Sequence, residues 1–298
     1  MELRRFLVIL TIAVIILLLI TAWFFPSNED FRVENPFWNG IRNISASYPV
    51  LPLESLSDLP PSPQGAILIL IPYLDCTAAE LEQINSFVTQ GGRLVLADDY
   101  GHGNQILEHL GLRARFSGQA LLDPLLNYKN KQFPRIVRLA SSPFTSDIES
   151  LVFNHATSLA NVATVNTIAL SSPFSFLDLN GNGLREDDEP TGPLPVISHH
   201  NLGSGQIILV ADPSLFINSM DAIESNGSFI QNIAATTTSL YIDQSHLPLS
   251  ELHQTKSRLA KARGWLATPP ATAGLVTLVL ILATRPIWHQ KKEDSKET

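Results

Sequence analysis

The stretch Gly65 to Asp99, GAILILIPYLDCTAAELEQINSFVTQGGRLVLADD, constrains the fold more than any other part of the chain. Ala66 to Ile71 is continuously apolar and ends at Pro72, which is how a strand buried on both faces reads. Thr77 and Glu80 have capping-box spacing and start a helix, on which Leu81, Ile84 and Phe87 form one apolar face. Gly91-Gly92 stops it, because glycine takes the left-handed C′ conformation without a Cβ penalty. Arg93 to Ala97 is a second buried strand, with Asp98 and Asp99 at its carboxyl end. Two parallel strands joined by one helix make a right-handed crossover.

The remaining segments extend that pattern. Pro26 to Pro36 reads as a polar linker, Tyr48 to Leu53 as a strand and Asn104 to Leu110 as a helix. Val162 to Leu170, rich in Val, Thr and Ile, reads as a strand. Pro195 to His200 and Gln206 to Ala211 form a hairpin around a glycine-bearing loop, and Phe229 to Tyr241 reads as the last helix of the domain. The expected architecture is α/β: a mainly parallel sheet sandwiched by helices, with an antiparallel edge.

Both ends carry apolar segments. Phe6 to Phe25 is a charge-free run of about 20 residues, long enough to span a bilayer. Arg4 and Arg5 precede it, and Glu29 and Asp30 follow, so the positive-inside rule puts the N-terminus in the cytoplasm. No A-x-A-like site follows Ala22, which favours an anchor over a cleaved signal peptide. Ala271 to Thr284 reaches spanning length with Trp265 to Thr268 or with Ile287 and Trp288; the alternative is a hydrophobic tail packed on the domain. The expected layout is an anchor at 1–26, an extracytoplasmic domain at 27–248, a charged juxtamembrane helix at 249–264, a second span at 265–288 and a cytoplasmic tail at 289–298. Both termini would then be cytoplasmic, in a cell-membrane protein. A formal charge of -8 without a basic stripe excludes a nucleic-acid partner. The single cysteine, Cys76, precludes an intrachain disulfide.

The segments ILILIPYLDCTAAELEQINSFVTQGGRLVLADD and GQIILVADPSLFIN resemble membrane-anchored domains of unknown function with the class I glutamine-amidotransferase-like fold. The resemblance covers roughly Pro36 to Tyr241. It implies association with MoxR-type ATPases or with components of ABC-type transporters. An active amidotransferase carries a cysteine on a strained turn after a buried strand, with a histidine and a carboxylate nearby. Asp98-Asp99-Tyr100-Gly101-His102 contains no cysteine. Cys76 follows the earlier strand, just before the helix at Thr77, and is read as a structural, partly buried thiol. His102, His155, His199 and His200 have no metal-ligand spacing.

One motif carries chemistry by itself. Asp178-Leu-Asn180-Gly-Asn182-Gly183, followed by five residues and Glu189, matches the calcium-loop pattern. Asp178, Asn180 and Asn182 would present alternate side-chain oxygens to a hard cation, Leu184 its carbonyl, Glu186 a direct or water-mediated contact, and Glu189 a bidentate carboxylate. No convincing helices flank it, so a structural Ca2+ brace is expected rather than a regulatory EF-hand; an acidic solvated turn is the alternative. A second group, Asp98, Asp99 and Asp212, follows two inferred strands, where open α/β sheets bind ligands. Asn43-Ile-Ser45 and Asn226-Gly-Ser228 are glycosylation sequons. The expectation is a non-enzymatic, membrane-anchored binding or scaffold protein with no catalytic residues. The alternatives are an envelope hydrolase or amidotransferase, or an accessory transporter subunit. A cysteine within hydrogen-bond reach of a histidine would favour the enzyme.

Overall fold

The computed structural model describes residues 2–235, 237, 239–277 and 279–281. Pro26–Pro248 forms one compact unit, and the segments before Pro26 and after Pro248 form another.

Eight strands of the larger unit make one sheet: β1 (Val50–Leu53), β2 (Ala66–Leu70), β3 (Arg93–Ala97), β4 (Arg138–Leu139), β5 (Thr167–Leu170), β6 (Pro195–Leu202), β7 (Gly205–Val210) and β8 (Ser239–Asp243). Their spatial order is β1-β8-β2-β3-β7-β6-β5-β4. The first five in that order run parallel; β6, β5 and β4 add an antiparallel edge. This is a mixed α/β architecture. Every residue of β2 is buried, as its unbroken AILIL run dictates.

Between β2 and β3 lies α1 (Ala78–Thr89), opened by the expected capping box: Thr77 N donates to Glu80 Oε2 at 2.8 Å, and Glu80 N to Thr77 Oγ1 at 3.4 Å. Gly91 ends it at φ 109°. A Cβ on Gly92 would lie 2.5 Å from the Phe87 ring, so only glycine lets the chain turn back across the helix here.

Three expectations change. The last helix of the unit, α2 (Asn226–Ala234), stops well short of Tyr241, and Ser239–Asp243 is the strand β8, inserted between β1 and β2. Tyr241 and Ile242 are residue types that favour an extended chain over helix. Pro26 to Pro36 is no free linker: Phe31, Arg32 and Val33 are buried. Arg32 Nε pairs with Glu29 Oε2 at 3.0 Å, and its Nη1 donates to Gln244 O at 3.0 Å, which pins this segment to the chain just after β8. Asn226 is fully buried and bonded to Val152 and Met220, so the second sequon is closed to a glycan in the folded chain.

In the terminal unit the helix Glu2–Phe24 is, among the described residues, the one helix long and apolar enough to cross a membrane unaided; it fits an anchor or a signal sequence. Glu251–Leu266 and Pro269–Ile281 pass that test only together, and they are bent by 81°. Trp265 thus closes a charged helix instead of opening a span at 265, and 282–298 lies outside the described residues. The Arg263 guanidinium sits 5.9 Å from the Trp23 ring centroid, and Lys256 Nζ donates to Phe25 O.

Candidate functional site

Strands β2, β3, β7 and β8 are parallel and end on one edge, the side on which open α/β sheets place their ligand crevices. The three aspartates expected there are present but do different things. Asp98 is 2 % exposed; its Oδ1 accepts from Tyr100 N and Gly101 N at 2.9 and 3.0 Å, and its Oδ2 from Gly103 N at 2.6 Å. Asp212 is fully buried and accepts from Asn154 N at 2.7 Å and Ser214 N at 2.8 Å. Both close turns. Burial raises each above the usual carboxylate range, against the pull of these amide bonds. Asp99 is the more accessible of the three. Burial and then the Asp98 charge push it up to about 7. Around it stand Tyr73, Tyr100 and His102, with ring centroids 6.1 to 6.4 Å apart. The Tyr73 hydroxyl is driven upward by burial and by the charge of Asp99.

Beside this group is a constellation that sequence reasoning missed. Tyr73 N and Leu74 N both donate to His246 O, at 3.0 and 3.1 Å, so the chain leaving β2 is stapled to the chain leaving β8. That staple brings Cys76 close enough to His246 for the sulfur to help raise the imidazole. His246 Nδ1 lies 3.0 Å from Asp243 Oδ2. His246 Nε2 is also 3.7 Å from Glu80 Oε2, the carboxylate of the capping box. Burial alone would lower the imidazole; the Asp243 and Cys76 contacts overturn that and raise it to about 10. Glu80 is lowered, because its bonds to Thr77 and the nearby imidazolium outweigh burial. Ser245 Oγ donates to Asp243 Oδ1 at 2.6 Å and fixes that carboxylate.

A thiol, an imidazolium and a carboxylate in series form the arrangement that supports nucleophilic catalysis by cysteine. Cys76 follows a buried strand and directly precedes the cap of α1. It departs from a strained nucleophile turn in one respect: its φ is not positive. Cys76, Asp243 and His246 are 8 %, 2 % and 3 % exposed. The only sequence signal for the pair was Asp243-x-x-His246 at the end of a strand. It stays invisible while that strand is read as helix.

The calcium-type loop is closed on its own backbone. Asp178 takes Gly181 N and Gly183 N, each at 2.8 Å; Glu189 takes Leu179 N at 2.9 Å and Glu186 N at 3.1 Å. Asn180 Oδ1 and Asn182 Oδ1 accept from Asn182 N and Leu184 N, while their amide nitrogens donate to Glu186 at 3.1 and 2.7 Å. Lys131 Nζ donates to Gly183 O. The oxygen donors suit a hard cation in kind and order. Among the described residues no three His, Cys, Asp or Glu side chains are grouped to hold a metal. Of the four histidines singled out in the sequence, His102 is exposed and His155 bonds Asn154 Oδ1. His200 bonds Ser198 and Asn166, and His199 packs on Phe144.

No curated protein matches the chain. Similar solved structures include the mmIFT52 N-terminal domain, 14 % identical with a TM-score of 0.42 over 58 % of this chain and 72 % of that one. A beta-galactosidase from Bacillus circulans sp. alkalophilus is 14 % identical with a TM-score of 0.35, over 57 % of this chain and 22 % of that one. A ThuA-like protein from Bacteroides uniformis is 14 % identical with a TM-score of 0.32, over 60 % and 72 %. The chain spans 22 % of the galactosidase's length. Residues 42–234, most of the unit that carries the sheet, match a family directly, and the chain belongs to that family, the domain of unknown function DUF4350.

Proposed function

We propose that this is a membrane-anchored enzyme of the acyl-transfer class, a hydrolase or amidotransferase acting on an envelope substrate, with Cys76 as nucleophile. The observation that carries the reading is the buried His246, hydrogen-bonded to Asp243 and close enough to Cys76 for the sulfur to help raise the imidazole. In this reading the Cys76 sulfur attacks an acyl carbonyl, a carbon–sulfur bond forms, and the bond to the leaving amine or alcohol breaks. The sulfur sheds its proton before it attacks, His246 gives its own proton to that leaving group, and water then cleaves the thioester and returns a proton to the imidazole. Asp99, in the adjacent aromatic recess, would meet polar groups of the substrate. The class I glutamine-amidotransferase-like fold fits the strand–cysteine–helix order, and the anchor Glu2–Phe24 fits a domain held outside the cell membrane with the N-terminus inside. Ca2+ on Asp178, Asn180, Asn182, Leu184, Glu186 and Glu189 would brace the loop; its support is the spacing of the oxygen donors.

A second reading, the non-enzymatic scaffold working with a MoxR-type ATPase or transporter components, is favoured by the burial of the same three side chains. One experiment separates the two. Full-length protein in mild detergent is mixed with p-nitrophenyl acetate and its mass read after rapid acid quench. The enzyme reading expects an acetyl adduct on Cys76 that disappears in Cys76→Ser. A chain that stays unmodified while releasing no more nitrophenol than buffer alone rejects it and leaves the scaffold.

A further inference from the structure

A cavity of about 430 Å³ lies at the opposite edge of the sheet, where the parallel strands begin. That volume falls in the range of small-molecule sites, ~300–1,000 Å³. Arg93, the first residue of β3, lines it together with Gln206 of β7 and His199 of β6. The Arg93 guanidinium lies 5.4 Å from the Phe144 ring centroid, and its Nε donates to Gln206 Oε1 at 3.2 Å. The His199 ring is 5.5 Å from the same phenyl ring. His199 Nε2 is buried and has no hydrogen-bond partner among the described residues. A buried ring nitrogen left unsatisfied calls for an explanation, and a bound group is one. Ser142 and Asn232 add polar lining, and none of the described lining residues is a carboxylate. Burial lowers Arg93; burial and then the Arg93 charge lower His199. Both shifts are what an anion in the cavity would reverse.

We propose that this cavity binds a small organic oxyanion, a carboxylate or phosphate carried on an apolar body, held by Arg93 and His199 with the body against Phe144. The chemistry follows from the wall. A guanidinium fork and a second ring nitrogen suit a planar or tetrahedral oxyanion, and a phenyl ring suits an apolar body. The site is separate from the thiol centre, since Arg93 and Ala97 stand at opposite ends of β3.

The test uses the full chain in detergent with three probes of similar body: benzoate, phenyl phosphate and neutral benzamide. The imidazole resonance of His199 is followed by NMR. The proposal expects benzoate or phenyl phosphate to shift it and benzamide to leave it in place, and the tighter of the two anions names the oxyanion. Arg93→Gln should weaken that anion roughly tenfold or more, and Arg93→Lys, which keeps the charge without the fork, by less. Cys76→Ser should bind as the wild type does. The proposal is overturned if benzamide shifts the resonance as strongly as the anions, or if neither anion shifts it at tens of millimolar. These readings come from the wild-type chain, so they stand even if a variant fails to fold.

Discussion

His246 Nδ1 lies 3.0 Å from Asp243 Oδ2, inside a loop whose side chains are almost wholly buried. The Asp243 carboxylate fixes the imidazole and favours its charged form. Removing one partner of a buried hydrogen-bonded pair strands the other. Asp243→Asn should therefore destabilise the domain by roughly 2–4 kcal/mol, read from denaturant midpoints at neutral pH.

The same pair makes stability depend on alkaline pH. The folded imidazole is raised to about 10 from its ordinary 6.5, so its contribution is fully present below about 6.5. It declines as pH climbs through the interval up to about 10 and is absent above it. The expected size is on the order of a few kcal/mol. Denaturation of the full chain from pH 6 to pH 10 should show the decline, and His246→Gln should flatten it.

Asp99 acts in the same direction for a different reason, burial instead of a partner. Its carboxyl is pushed up to about 7, chiefly by burial, so folding at higher pH must hold an unwelcome charge. Stability from this group is present at low pH and is lost as pH rises toward about 7. Asp99→Asn should stabilise the chain at pH 8 by about 1–3 kcal/mol and change it little at pH 4. Equal effects at both pH values would mean that burial does not govern this carboxyl.

The calcium-type loop gives two separable outcomes. Asp178→Asn removes a carboxylate that closes Gly181 N and Gly183 N, so it should cost about 1–2 kcal/mol even in chelator. Calcium at millimolar concentration should raise the melting temperature of the wild type and not of Glu189→Gln. A wild-type melt unmoved by calcium removes the brace and leaves a turn sufficient in itself.

The helix Glu2–Phe24 predicts a topology that protease can read. Added to intact cells, protease should cleave the unit Pro26–Pro248 and leave a membrane-held N-terminal fragment. A chain that survives until lysis would put that unit on the cytoplasmic side.

Most of the sheet was legible because burial on both faces leaves a mark: AILIL and RLVLA are unmistakable, and the Thr77–Glu80 cap marks where the chain turns helical. β8 escaped because Ser239 to Asp243 follows an amphipathic helix with no glycine or proline between them. Nor did polarity mark the segment around Arg32 as buried, since a charged residue enters the interior only when a partner distant in sequence, here the chain at Gln244, accepts its protons. The site shared both blind spots. Asp98 and Asp212 could be placed at strand ends, but that their oxygens are engaged by turn amides depends on loop paths. Cys76 and His246 are far apart in the chain and meet only because β8 sits beside β2.

The most direct test of the thiol centre is the alkylation rate of Cys76 by iodoacetamide in the native full-length chain at pH 7, compared with His246→Gln. With a single cysteine in the chain, mass spectrometry reads that site alone. A coupled thiol–imidazolium pair predicts measurable labelling of the wild type and a rate at least tenfold lower in the variant. Equal rates in the two proteins, or a wild-type thiol that labels only after denaturation, would contradict it.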